Sequence, residues 1–250
     1  LNLLLCEVPE TLEWPCSVKL AGTLTCLQTG VNGITVNADD VTVDLAGHAL
    51  VGPGADSGHG IYQPSSYKNL RVLDGTVSDW RGTSLVESQI AAALAAFGSR
   101  TSVENVMADN CTMGINASGS GSALTRCQAH GNAFFGLSAG VDARLTDCVS
   151  AGNNLYGINA GTRCRLERCA ARDNGNDGIH AGSGASVLDC EAAGNTGDGI
   201  EVSDRAKVER NVCSQNGNAG DGAGIHVTGS GCRVARNQVA ENDRGLDLDN

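Results

Sequence analysis

One position in a recurring pattern carries two histidines and two carboxylates. The residue after each Gly-Ile or Gly-Leu pair reads Asn116, Ser138, Asn159, His180, Glu201, His226 and Asp247. If the flanking Ile and Ala point inward, these residues point outward on one face, because successive strand residues alternate sides. His180, Glu201, His226 and Asp247 then stack into a set able to exchange protons with a substrate or hold a divalent cation. A plain solvated sheet face has the same pattern. Asp204 and Arg205 follow in the adjacent turn as candidate binding residues. Asp177 and Asp198 stand just before their Gly-Ile pairs and form a candidate Ca²⁺ pair. Phe135 and Tyr156 hold the same place in earlier repeats, where two aromatic rings are expected to stack.

The elements that position these residues follow from a period. The pairs Gly114-Ile115, Gly136-Leu137, Gly157-Ile158, Gly178-Ile179, Gly199-Ile200, Gly224-Ile225 and Gly245-Leu246 are spaced by 22, 21, 21, 21, 25 and 21 residues. A second column runs Val106, Cys127, Cys148, Cys169, Cys190, Asn211, every step being 21 residues. A third runs Cys111, Asn132, Asn153, Asn174, Asn195, Asn216, again in steps of 21. Alternation over two to five residues points to strands, and the Gly and Asn between them to turns. A unit this short buries its apolar face only by stacking on its neighbours.

The Asn column and the Cys column are expected inside the stack, the Asn side chains bonded to one another and to turn backbone. A line of thiols does not converge as a tetrahedral zinc site must, so the Cys column reads as compact buried packing. Arg126, Asp147, Arg168, Asp189, Arg210 and Arg236 form a further column of mostly alternating sign. Alternation turns neighbouring like charges into pairs. Cys16 and Cys26 lie outside the columns and are the candidate disulfide, with Cys6 nearby.

These columns resemble the right-handed parallel β-helix proteins of the pectate-lyase-like superfamily. The stretch Val41 to Gly54, "VTVDLAGHALVGPG", is similar to the Asp-Leu-x-Gly-His turn found near the N-terminus of bacterial members. The resemblance implies an all-β single solenoid of about ten rungs, a rod roughly 45–50 Å long at ~4.8 Å per rung. Residues 1–30 are assigned to an N-terminal cap and 31–250 to the β-helix. An insertion is expected around 78–89. Helix propensity over Ser84–Phe97 competes with rung register there, and register favours a strand in its second half. The "NTGDGI" at Asn195–Ile200 is similar to a polygalacturonase motif, but Gly58-His59-Gly60 precedes it and the partner motifs are missing, so that activity does not carry over.

Composition narrows the function. Lys and Arg number 17 against 28 Asp and Glu, a net charge of −11, and aromatics are 3%. Nucleic-acid binding, which needs a basic track and stacking platforms, is excluded. No run of 18 apolar residues spans a membrane. The superfamily hosts many activities, so the fold alone does not choose one. Uniform rungs, few aromatics in the repeat and an ending at "RGLDLDN" without a visible cap favour a secreted or cell-surface scaffold or adhesin that stacks head to tail as a filament. The alternative is a polysaccharide-acting enzyme, a lyase, epimerase or glycoside hydrolase, with its site on the His180–Asp247 column and Ca²⁺ as a possible cofactor. The expected partner is accordingly another copy of the chain or a surface glycan.

Overall fold

The computed structural model describes residues 2–5, 7–82, 91–217, 220 and 222–249. Among the described residues every strand pairing is parallel, and each strand's partners lie about one repeat before and after it. Among the described residues, one sheet stacks eleven strands, from Glu10–Leu12 through Ile179–Ala181 and Ile200–Val202 to Arg244–Leu248. The other two strands of each rung join a nineteen-stranded sheet. They are continuous there because Arg71–Trp80 and Ser102–Asp109 each run across both columns. The chain is an all-β parallel β-helix, as its columns imply. No helix among the described residues is long and apolar enough to cross a membrane.

The interior follows the period. Ile158, Ile179, Ile200 and Ile225 occupy one column and Leu145, Leu166, Val187 and Val208 another, all fully buried. Asn132, Asn153, Asn174, Asn195 and Asn216 are buried as well. Each side-chain oxygen accepts from the preceding rung: Oδ1 of Asn195 receives the N–H of Asn174 at 3.1 Å and its Nδ2 at 2.9 Å. Nδ2 of Asn195 donates in turn to the carbonyl of Ala171 at 3.1 Å. The Gly column exists to admit this ladder. A Cβ on Gly178 would sit 2.5 Å from Nδ2 of Asn195 and 2.8 Å from the carbonyl oxygen of Gly199.

Cys127, Cys148, Cys169 and Cys190 are buried free thiols, and their column passes to Asn211, whose Oδ1 accepts the N–H of Cys190 at 2.8 Å. The charged column sits on the left-handed residues that bend the chain between strands, Arg126, Asp147, Arg168, Asp189, Arg210 and Arg236 having φ between 52° and 60°. The pairing is bidentate at Arg168–Asp147 and at Arg210–Asp189.

Three expectations are changed. Segment 1–30, assigned to a cap, carries strands in register: Glu10–Leu12 pairs with Ile34–Val36, Ser17–Leu20 with Thr42–Asp44 and Leu24–Thr25 with Ala49–Gly54. Its turns differ in length from the later ones, so the column pattern does not reveal it. Cys16 and Cys26 form no disulfide. Both are buried free thiols packed in the common core, and Sγ of Cys26 donates to the carbonyl of Gln28. Inward-facing cysteines in this rung serve as small apolar side chains. Cys6 lies outside the described residues. The insertion begins later than expected, because Ser78 to Trp80 continue the strand Arg71–Trp80 and Ser78 pairs with Asp109. Residues 83–89 of that expectation lie outside the described residues. Ala92–Ala96 is a strand between Ile61–Gln63 and Met113–Ala117, so rung register prevails over helix propensity there.

Candidate functional site

Short strands set the side chains of the site. In Ile179–Ala181 the outer two residues are buried and His180 between them is half-exposed. Glu201 has the same place in Ile200–Val202, and His226 in Ala223–Val227. Register puts Asn159, His180, Glu201, His226 and Asp247 in one line across adjacent strands. The outward column expected from the sequence is therefore a physical row.

The row is joined by residues from the turn before each strand. Asp177 and Asp198, both buried, stand three positions before His180 and Glu201. Oδ1 of Asp177 accepts the N–H of Asp198 at 2.9 Å. Oδ1 of Asp198 accepts the N–H of Ala223 at 2.6 Å, and its Oδ2 lies 2.8 Å from Nδ1 of His226. Nε2 of His226 faces Oδ1 of Asp249 at 3.4 Å. Nδ1 of His180 is 3.4 Å from Oε2 of Glu201. The result is two overlapping triads that share Glu201: Asp177–His180–Glu201 and Asp198–Glu201–His226. Within each, one potential ligand atom per residue lies within 4.8 Å of the others.

Electrostatics divides the group. Burial pushes the Asp177 carboxyl up to about 7, and the nearby Glu201 and Asp198 charges add to the rise. Glu201 is held below the usual glutamate range, first by His180, with burial opposing. His180 is raised by Glu201. Burial would lower His226, but Asp198 and Asp249 outweigh it and the net shift is upward. A carboxyl raised toward neutrality beside one held low is an arrangement that can separate a proton donor from a proton acceptor.

Aromatic rings close one end of the row. Tyr156 packs on His180 with ring centroids 5.3 Å apart and stacks on Phe135 at 5.5 Å. Burial, then the charges of Asp177 and Glu201, raise the Tyr156 phenol.

Not every expected residue joins. Asp247 is in the row, but its carboxylate pairs with Nη1 of Arg244 at 2.5 Å. Asp204 serves a turn, its Oδ1 accepting the N–H of Ser230 at 2.8 Å, and Arg205 is the left-handed residue of its own turn. Neither is brought to the cluster. Asp177 and Asp198, expected as a metal pair, each fall in a triad with a histidine and Glu201. Tyr156 and Asp249 were not among the expected site residues. For Tyr156 the signal was present: it precedes Asn159 by the same three residues that separate Asp177 from His180 and Asp198 from Glu201.

Comparison with known proteins agrees with this architecture. The model of a family described as the right handed beta helix region matches residues 76–243. No curated protein matches by sequence. Among solved structures, the mannuronan C-5 epimerase AlgE6 A-module of Azotobacter vinelandii superposes with a TM-score of 0.69 at 12% identity, covering 99% of this chain and 86% of that one. The Dettilon tailspike protein gives 0.62 at 12% identity, covering 99% and 61%. Pectate lyase Pel9A gives 0.54 at 15% identity, covering 89% and 70%. At these identities the likeness is one of fold.

Proposed function

The chain belongs to the right-handed β-helix family, a scaffold that positions side chains and leaves the chemistry to them, and from those side chains we propose that it is a polysaccharide-acting enzyme with an acid–base site on the outward face of its eleven-stranded sheet. The observation that carries the reading is the His226–Asp198 pair set beside Glu201. A buried carboxylate on Nδ1 fixes the imidazole's orientation, and Nε2, which faces the exposed Asp249 carboxylate at 3.4 Å, is the nitrogen that would exchange a proton once a substrate displaces that contact. Glu201, on the neighbouring strand, is the second proton-transfer group. Asp198 is a positioning residue, and Tyr156 flanks the row with a hydroxyl-bearing ring.

The face lies on the outside of a rod and crosses consecutive strands. An extended polymer can lie along such a surface and meet the row over several residues. Some solved structures with this fold are named for such substrates or sources, a mannuronan epimerase, a pectate lyase and phage tailspikes, and this supports a polysaccharide as the substrate class. A location outside the cell or at its surface goes with that substrate. A repeat poor in aromatics favours the scaffold reading, and that support weakens with Tyr156 packed on His180 and Phe135 stacked behind it.

The test is a panel of uronate and neutral polysaccharides incubated with the protein. New reducing ends report hydrolysis, unsaturated ends report elimination, and inversion at a sugar carbon without chain cleavage reports epimerisation. Any of the three, lost in Glu201→Gln, supports the reading. Absence of all three across the panel overturns it.

A further inference from the structure

Nδ1 of His180 is sealed from solvent and has no hydrogen-bond partner. Its contact with Oε2 of Glu201, at 3.4 Å, is an ion-pair distance. That separation has another meaning. Two ligands bound to one metal at ~2.1 Å with tetrahedral angles lie ~3.4 Å apart. Asp177 completes the group, with a carboxylate oxygen within 4.8 Å of the other two ligand atoms. Two carboxylates this close repel unless a cation or a proton lies between them.

We propose that Asp177, His180 and Glu201 form a three-ligand site for a transition-metal dication of the zinc class, with its fourth position open. The ligand types select the metal. Calcium takes six to eight oxygen ligands, whereas one imidazole and two carboxylates suit zinc and its neighbours in the first transition row. The side chains of His180 and Glu201 keep 31% and 21% of their exposure, so the cluster borders solvent although Nδ1 of His180 itself is sealed. Supporting contacts are in place. The N–H of Asp198 holds Oδ1 of Asp177 at 2.9 Å, and the Tyr156 ring fixes the plane of His180 from one side. Such outer contacts orient metal ligands. The second triad is less suited, because Nδ1 of His226 is already engaged by Asp198 at 2.8 Å.

The inference rests on the catalytic reading and refines it: with a metal held, Glu201 would serve as a ligand and a water in the open position would be the second proton-transfer group beside the His226–Asp198 pair, and binding can be measured without turnover. Chelator-treated full-length chain is titrated with Co²⁺ and followed by visible absorption. One Co²⁺ per chain is expected, with tetrahedral bands and without the charge-transfer bands that cysteine thiolates produce. Zn²⁺ displaces it, and Ca²⁺ at equal concentration does not. His180→Ala and the shape-conserving Glu201→Gln weaken binding at least ~100-fold, thermal unfolding showing that each variant is folded. No Co²⁺ bound, thiolate bands, displacement by Ca²⁺, or unchanged affinity in both variants overturns the proposal. Polymer turnover together with no Co²⁺ binding overturns the site and leaves the catalytic reading standing. Co²⁺ bound as described without turnover of any polymer supports the metal site and overturns the catalytic reading.

Discussion

Nδ1 of His226 lies 2.8 Å from Oδ2 of Asp198, although 28 residues separate them in the chain. The contact spans two rungs, and it turns a surface histidine into an oriented one. Asp198→Asn keeps an oxygen for the N–H of Ala223 but replaces the charge that holds the imidazole. Turnover is expected to fall ~10²–10⁴-fold with the fold intact, because an oriented base loses both its tautomer and its charge partner. Steady-state rates on the polymer that the wild type attacks check this. A rate within a few-fold of wild type would contradict the role given to Asp198.

The Asn ladder is expected to be a large contributor to stability. Asn195→Ala strands the buried N–H of Asn174 and one hydrogen of its Nδ2, whose bond to the Ser150 carbonyl remains, and removes the side-chain donor to the carbonyl of Ala171. Each unsatisfied group costs ~1–3 kcal/mol. A loss of about 3 kcal/mol or more in urea unfolding is expected. A loss below about 1 kcal/mol would mean that the ladder is ornamental.

Gly178→Ala tests why glycine precedes each Ile. The new Cβ would meet Nδ2 of Asn195 at 2.5 Å and the Gly199 carbonyl at 2.8 Å, backbone that cannot retreat without moving the next rung. Overpacking of this kind costs ~1–3 kcal/mol. Gly22→Ala is the control, since nothing lies within 4 Å of its Cβ position. There the change is expected to be neutral or slightly stabilising, through a less flexible unfolded chain. Equal effects at the two sites would refute the packing argument.

The outer Arg–Asp ladder sets a dependence on pH and salt. Asp147 and Asp189 are held below the usual aspartate range, chiefly by hydrogen bonds from Arg168 and Arg210. A depressed folded pKa means the unfolded chain takes up protons first as pH falls. Their contribution is therefore present above the ordinary aspartate pKa of 3.8 and is lost as pH drops through the lower folded value. Wild type should lose more thermal stability than the Arg168→Ala, Arg210→Ala double variant between pH 5 and pH 2, and the gap between them should shrink in ~1 M salt. Parallel curves would show that the ladder is passive.

Much of the fold was legible because stacking forces a period on the sequence. A residue in the Asn column must meet the Asn above and below it, so Asn132 to Asn216 repeat without a slip. The rung at Glu10–Leu12 and Ser17–Leu20 was not legible, because its strands pair in register while its turns do not keep the spacing. The site was half legible. Strand alternation sent His180, Glu201 and His226 outward, but it says nothing about a turn. Asp177 and Asp198 were therefore read as a separate metal pair, when the bend of the turn carries them back beside the row. Asp204 illustrates the same limit of sequence adjacency: it follows the row in sequence, and its Oδ1 bonds to Ser230 in the turn.

The face carrying His226, Asp198 and Glu201 is proposed as the catalytic one. The most direct measurement compares turnover by wild type, Glu201→Gln, His226→Ala and Arg168→Ala on the polysaccharide that the wild type modifies, Arg168 lying in the bend between two strands of the other sheet. The account expects loss of at least ~100-fold in the first two variants and a rate near wild type in the third. Equal rates in all four would place the chemistry elsewhere and contradict it.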